Sequence, residues 1–70
     1  MEKGRIVQVM GPVVDVVFEN GELPYIKDAL EVENGGKKCI MEVAQHLGNN
    51  EVRCLMLAAS EGLHKDMEVT

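Results

Sequence analysis

Apolar side chains recur at every second position through much of this 70-residue chain, the period of a β-strand with one face buried. In Arg5 to Phe18, Val7 and Val9 flank Gln8, while Val14, Val16 and Phe18 bracket Asp15 and Val17. The pattern predicts two strands separated by Gly11-Pro12. Pro12 has no backbone donor and Gly11 tolerates positive φ, so the pair is expected to mark a bend or bulge where a strand turns a corner, in preference to a plain loop. Asn20-Gly21 and Pro24 mark a tight turn, followed by a second turn and then a short strand from Ala29 to Glu33 with Leu30 and Val32 on one face. After Asn34-Gly35-Gly36, the stretch Lys38 to Leu47 places Cys39, Met41, Val43 and Leu47 on one face, and Lys38, Glu42 and His46 with Ile40 and Ala44 on the other. Beyond Gly48-Asn49-Asn50, a strand from Glu51 to Ala58 alternates Val52, Cys54 and Met56 with Arg53, Leu55 and Leu57. Ser60 to Asp66 reads as a polar connection, and Met67 to Thr70 as the start of a last strand.

A helix over Ile40 to Leu47 is opposed by the missing cap and the turn residues that close it. Short strands at this spacing predict an all-β domain spanning residues 1–70, a small closed or nearly closed barrel of about six mainly antiparallel strands. Leu55 and Leu57 stand out because they lie on the face of their strand that is otherwise polar. They are the candidate subunit-interface residues.

Composition narrows the function. A chain this short buries only about 60% of its unfolded surface, so support from neighbours is expected. The single Phe, single Tyr and absent Trp leave the core to aliphatic residues and Met. A net charge of −5 with scattered basic residues argues against nucleic acid as a partner. The longest apolar run, Cys54 to Ala59, falls far short of the roughly 20 residues that span a bilayer. Met1 to Arg5 carries charges of both signs and does not resemble a signal peptide, which gives a cytoplasmic expectation.

The search for chemistry returns little. The hairpin that keeps both apolar faces together places Cys54 opposite Gln45, leaving Cys39 about 20 Å away, too far for a disulfide. Both thiols are expected to be free and buried. His46 and His64 form no paired metal-ligand spacing and are expected at the surface. Asn34-Gly35-Gly36-Lys37-Lys38 lacks the spaced glycines and the hydroxyl of a phosphate loop. Glu31, Glu33, Glu42 and Glu51 read as solvated carboxylates, Ser60 lacks a nucleophile context, and the methionines read as core filling. No catalytic, cofactor-binding or metal residue is expected within the chain.

The string Gly4 to Val16, GRIVQVMGPVVDV, resembles the opening of the catalytic beta subunit of bacterial-type rotary (F-type) ATP synthases. The resemblance continues through Leu23-Pro24, Ala29 to Val32, Glu42 to Gly48, Val52-Arg53 and Gly62-Leu63. It implies the N-terminal six-stranded barrel of that subunit, a crown domain with Gly11 and Pro12 as a structural turn. Its partners would be the alpha and beta subunits of the catalytic head, and its role would be to hold the alternating hexamer together. Mg-ATP and ADP would bind a separate nucleotide-binding domain following Thr70, so the barrel alone would neither bind nor hydrolyse ATP. The parent would be peripheral on the cytoplasmic face of the cell membrane, making ATP from ADP and phosphate with a transmembrane ion gradient. Members often follow Gly-Leu-x with Arg-Gly, whereas Lys65-Asp66 stands here; Asp66 is among the better non-glycine residues should that position need positive φ. The alternatives are the barrel of a related hexameric ATPase and an independent ligand-binding barrel, which acidity and few aromatics oppose.

Overall fold

A computed structural model describes residues 3–57, 62–63 and 65–70. The expectations for Met1, Ser60 and His64 fall outside them. The strands are β1 (Gly4–Met10), β2 (Val13–Val17), β3 (Ala29–Asn34), β4 (Lys37–Gly48), β5 (Glu51–Met56) and β6 (Glu68–Val69). They form one sheet in the order β3-β4-β5-β2-β1-β6, and every neighbouring pair is antiparallel. Glu31 in β3 and Thr70 just past β6 exchange both backbone hydrogen bonds, at 2.8 and 3.0 Å. Such a reciprocal pair is an antiparallel rung, so the sheet curls into a nearly closed barrel.

Two-residue hairpins join the strands wherever the sequence supplies the backbone angles. Met10 pairs with Val13, so Gly11 and Pro12 alone connect β1 to β2. Gly11 has φ 59° and Pro12 does not share its sign, the pattern of a type II′ turn with glycine leading. The chain therefore reverses direction here instead of bending within one strand, and the plain connection between two strands was the nearer expectation. Asn49 and Asn50, at φ 53° and 64°, form the β4–β5 turn with both residues left-handed.

The bends lie elsewhere, in β-bulges. In β1 the register shifts between Ile6 and Gln8, leaving Val7 as the extra residue. Ile6 is fully buried and Val9 packs against the core, whereas Val7 does not share its face with Val9 as strict alternation had it. In β4 the shifts fall at Ala44 and Leu47. Cys54 consequently faces Val43, and Gln45 faces Arg53, which corrects the predicted pairing of Cys54 with Gln45. Cys39 then lies four residues from that rung, about 13 Å along the strand and still out of disulfide reach. Both cysteines are free; Cys54 is buried, whereas Cys39 is only half-buried. The same bulges carry Leu47 off the inner face, leaving it exposed against expectation.

The core comprises Ile6, Val14, Val16, Phe18, Leu30, Val32, Met41, Val43, Val52, Cys54 and Val69, none more than 5% exposed. Phe18 is its one aromatic. Gly4 is buried against it: a Cβ there would lie 2.6 Å from Val16 Cγ1 and 2.9 Å from two Phe18 ring carbons. Only a residue without a side chain fits between β1 and that wall.

Candidate functional site

Strand β5 presents one face to the core and the other to solvent. Val52 and Cys54 point into the core, and the alternate positions Arg53 and Leu55 point out. Leu55 is flanked in register by Val13 of β2 and Glu42 of β4, and Val13 in turn faces Met10 of β1. One step along, the Leu57 amide donates to the Ile40 carbonyl at 3.0 Å, which places those two residues side by side. Met10, Leu55 and Leu57 are 50, 42 and 61% exposed, with half-buried Val13 between Met10 and Leu55 and half-buried Ile40 beside Leu57. The outcome is a continuous apolar patch on the outside of the sheet beside the Gly11-Pro12 turn. Both sequence-predicted interface residues lie in it, and the turn borders it.

Met10 and Val13 were missed. Their signal was their position: they close the β1–β2 hairpin, so the type II′ turn sets them on the same rung beside Leu55.

A half-buried ion pair lies below the patch, its carboxylate buried and its guanidinium partly exposed. Asp15 of β2 faces Arg53 of β5 in register, and the guanidinium grips the carboxylate with both prongs, Nε to Oδ1 at 2.9 Å and Nη2 to Oδ2 at 3.1 Å. Asp15 is 5% exposed although it lies on the outer face, because Arg53 on one side and Gln8 on the other are its rung neighbours. A bidentate fork satisfies a buried carboxylate better than a single contact could. The hydrogen bonds that Arg53 donates to Asp15, then the Asp15 charge, raise the Arg53 pKa further above its ordinary value, against a smaller opposing effect of burial. The Cys54 thiol, adjacent in sequence, is pushed up to about 12, first by burial and then by the Asp15 charge. A thiol held protonated in this way is a poor nucleophile and metal ligand.

His46 is exposed, with Nε2 2.8 Å from the Pro24 carbonyl. Glu31 is 3.8 Å from Lys38 Nζ in a surface pair. An open cleft of about 430 Å³ near the β3–β6 seam is lined by Phe18, Leu23, Pro24, Leu30, Asp28 and Glu31 among others. Among the described residues, no group of three or more His, Cys, Asp or Glu could hold a metal ion. No helix of the described residues is long and apolar enough to cross a membrane.

The Asp66 position clarifies the departure from the pattern noted in the sequence. Asp66 has φ 77°, so the turn before β6 does require the left-handed region, and its carboxylate accepts from Arg5 Nη1 at 3.1 Å. The model for the β-barrel domain of the ATP synthase alpha/beta family matches residues 6–70, which takes in all six strands except the start of β1. The chain therefore belongs to the ATP synthase alpha/beta family and carries its β-barrel domain.

Proposed function

We propose that this barrel is the crown domain of the beta subunit of a bacterial-type F-type ATP synthase, holding alternating alpha and beta subunits together. The observation that carries this reading is the outer patch of Met10, Leu55 and Leu57, where large apolar side chains stand in solvent on a strand face otherwise given to a charged pair. Isolated apolar residues on a surface need no explanation, but a contiguous cluster rimmed by charge is the composition of an interface. The GPVVDV string favours the beta subunit over the alpha subunit and over secretion ATPases. In this reading, Mg-ATP and ADP bind elsewhere in the parent subunit, which works at the cytoplasmic face of the cell membrane, and the barrel contributes geometry alone.

The test places Leu55→Asp and Leu57→Asp together in the full-length subunit and follows hexamer formation with alpha subunits by size-exclusion chromatography with light scattering. The expected result is loss of the hexamer while the barrel melts as before, since exposed substitutions change stability by about 0.5 kcal/mol or less. Unimpaired assembly of the double variant would overturn the proposal.

A further inference from the structure

Strand β6 is two residues long, yet it closes the barrel. Val69 is fully buried, and β6 meets β1 through Gly4–Val69 and Arg5–Glu68. Two bonds flank these rungs: the Ile6 amide donates to the Met67 carbonyl at 2.9 Å, and the Asp66 amide to the Ile6 carbonyl at 2.7 Å. On its other side, Glu31 and Thr70 link β3 to the end of β6 by exchanging both backbone hydrogen bonds. The β2–β5 ladder, by contrast, holds five consecutive rungs with Val14, Val16, Val52 and Cys54 all buried.

The hold on β6 is partly ionic. Arg5 Nη1 reaches Asp66 Oδ1 at 3.1 Å, and its Nη2 grips Glu19 in the loop after β2. Lys3 Nζ lies 3.7 Å from Glu68 Oε1. These pairs are exposed, the regime in which salt screens them and each contributes modestly. Free energies of local opening follow what the opened segment gives up, and here that is one fully buried valine, the half-buried Met67 packed against the core, a few backbone bonds and the ionic ties.

We propose that Asp66 to Thr70 form a strap that opens as a unit while the rest of the barrel stays folded, with Arg5 as its latch. Opening lifts Val69 from the core and frees the Glu31 edge of β3. Local fraying at one rung would loosen the amides of Glu31 and Thr70 alone; a strap loosens the amides of Ile6, Glu31, Asp66 and Thr70 together.

Amide hydrogen exchange of the 70-residue chain, read residue by residue by NMR, tests this. The four strap amides should exchange with similar protection, at least about tenfold faster than those of Val14, Val16 and Val52. Asp66→Asn, which keeps a residue tolerant of positive φ, and Arg5→Gln should each speed the strap amides by about two- to fivefold and leave the ladder amides unchanged. Sodium chloride at roughly 0.5 M should do the same to the natural chain and less to Arg5→Gln, which keeps only the Lys3–Glu68 tie. Exchange of strap and ladder at one common rate would refute the strap. Equal acceleration of both sets by either variant would refute the latch.

Discussion

Replacing Gly4 by alanine adds one methyl group at the tightest point of the barrel. Its Cβ would meet Val16 Cγ1 at 2.6 Å and the Phe18 ring at 2.9 Å, whereas carbon atoms pack at about 3.5 to 4.0 Å. About 1 Å must be found, and neither neighbour can readily give. Val16 is β-branched and fully buried, and Phe18, 1% exposed, is the largest side chain in the core. Overpacking of this kind costs about 1–3 kcal/mol. Loss of glycine's freedom in the unfolded chain returns about 0.4–1 kcal/mol, since Gly4 is not at positive φ. A net loss of roughly 1.5 kcal/mol is a sizeable share of the roughly 3.5–10 kcal/mol expected for a domain this small. At about 4–8 °C per kcal/mol, thermal unfolding by circular dichroism should shift down by about 6–12 °C. The contact can be isolated by repeating the substitution in a Val16→Ala background. With the Cγ1 methyl removed, Gly4→Ala should cost less by more than about 0.5 kcal/mol, a coupling that independent sites do not show. A Gly4→Ala chain as stable as the natural one, or strictly additive effects in the double variant, would refute the steric argument.

Four further outcomes follow. Arg53→Met strands the buried Asp15 carboxylate, whereas Asp15→Asn leaves a guanidinium that can turn to water; urea titration should show the first variant losing clearly more stability than the second, and the pair together losing less than the sum. The Cys54 pKa is raised from its ordinary 9.0 to about 12, so above pH 9 the unfolded chain gives up a proton that the folded chain keeps. Stability from this group is thus fully present below pH 9 and is lost as pH rises toward 12, with a slope approaching about 1.4 kcal/mol per pH unit that Cys54→Ala should abolish. In native protein near pH 8, a thiol reagent should label Cys54 only after denaturant is added, and labelling of the folded thiol would contradict its burial. Titration of the chain with Mg-ATP should give no saturable shift in its NMR spectrum, and micromolar binding would contradict the assignment of nucleotide chemistry to another domain.

Strand existence was legible because alternation is a strong, local signal: Val14, Val16 and Phe18 are all in the core, as are Leu30 with Val32 and Val52 with Cys54. The bulges were not legible. An extra residue at Val7, Ala44 or Leu47 leaves no mark in composition, because any small or apolar residue can occupy it, and the insertion is decided by how the sheet must curl to close. Each bulge then falsified what alternation said downstream of it, moving Leu47 out of the core and Cys54 from Gln45 to Val43. Gly4 was invisible for a related reason: its constraint comes from Val16 and Phe18, more than ten residues away, with no unusual φ to announce it.

The outer face was legible only in β5, where Leu55 and Leu57 interrupt a polar alternation, yet the patch depends on the neighbouring strands. Met10 and Val13 join it because the Gly11-Pro12 turn fixes the rung they share, and Ile40 because β4 runs alongside Leu57. Core and patch are therefore separable by substitution, since they occupy alternate positions of the same strand. Val52→Ala should leave a cavity in the core and lower stability, while Leu55→Asp should leave the barrel standing and act only where a partner would sit. If Leu55→Asp instead destabilised the free barrel as much as Val52→Ala, Leu55 would belong to the fold, and the proposed interface would lose its central residue.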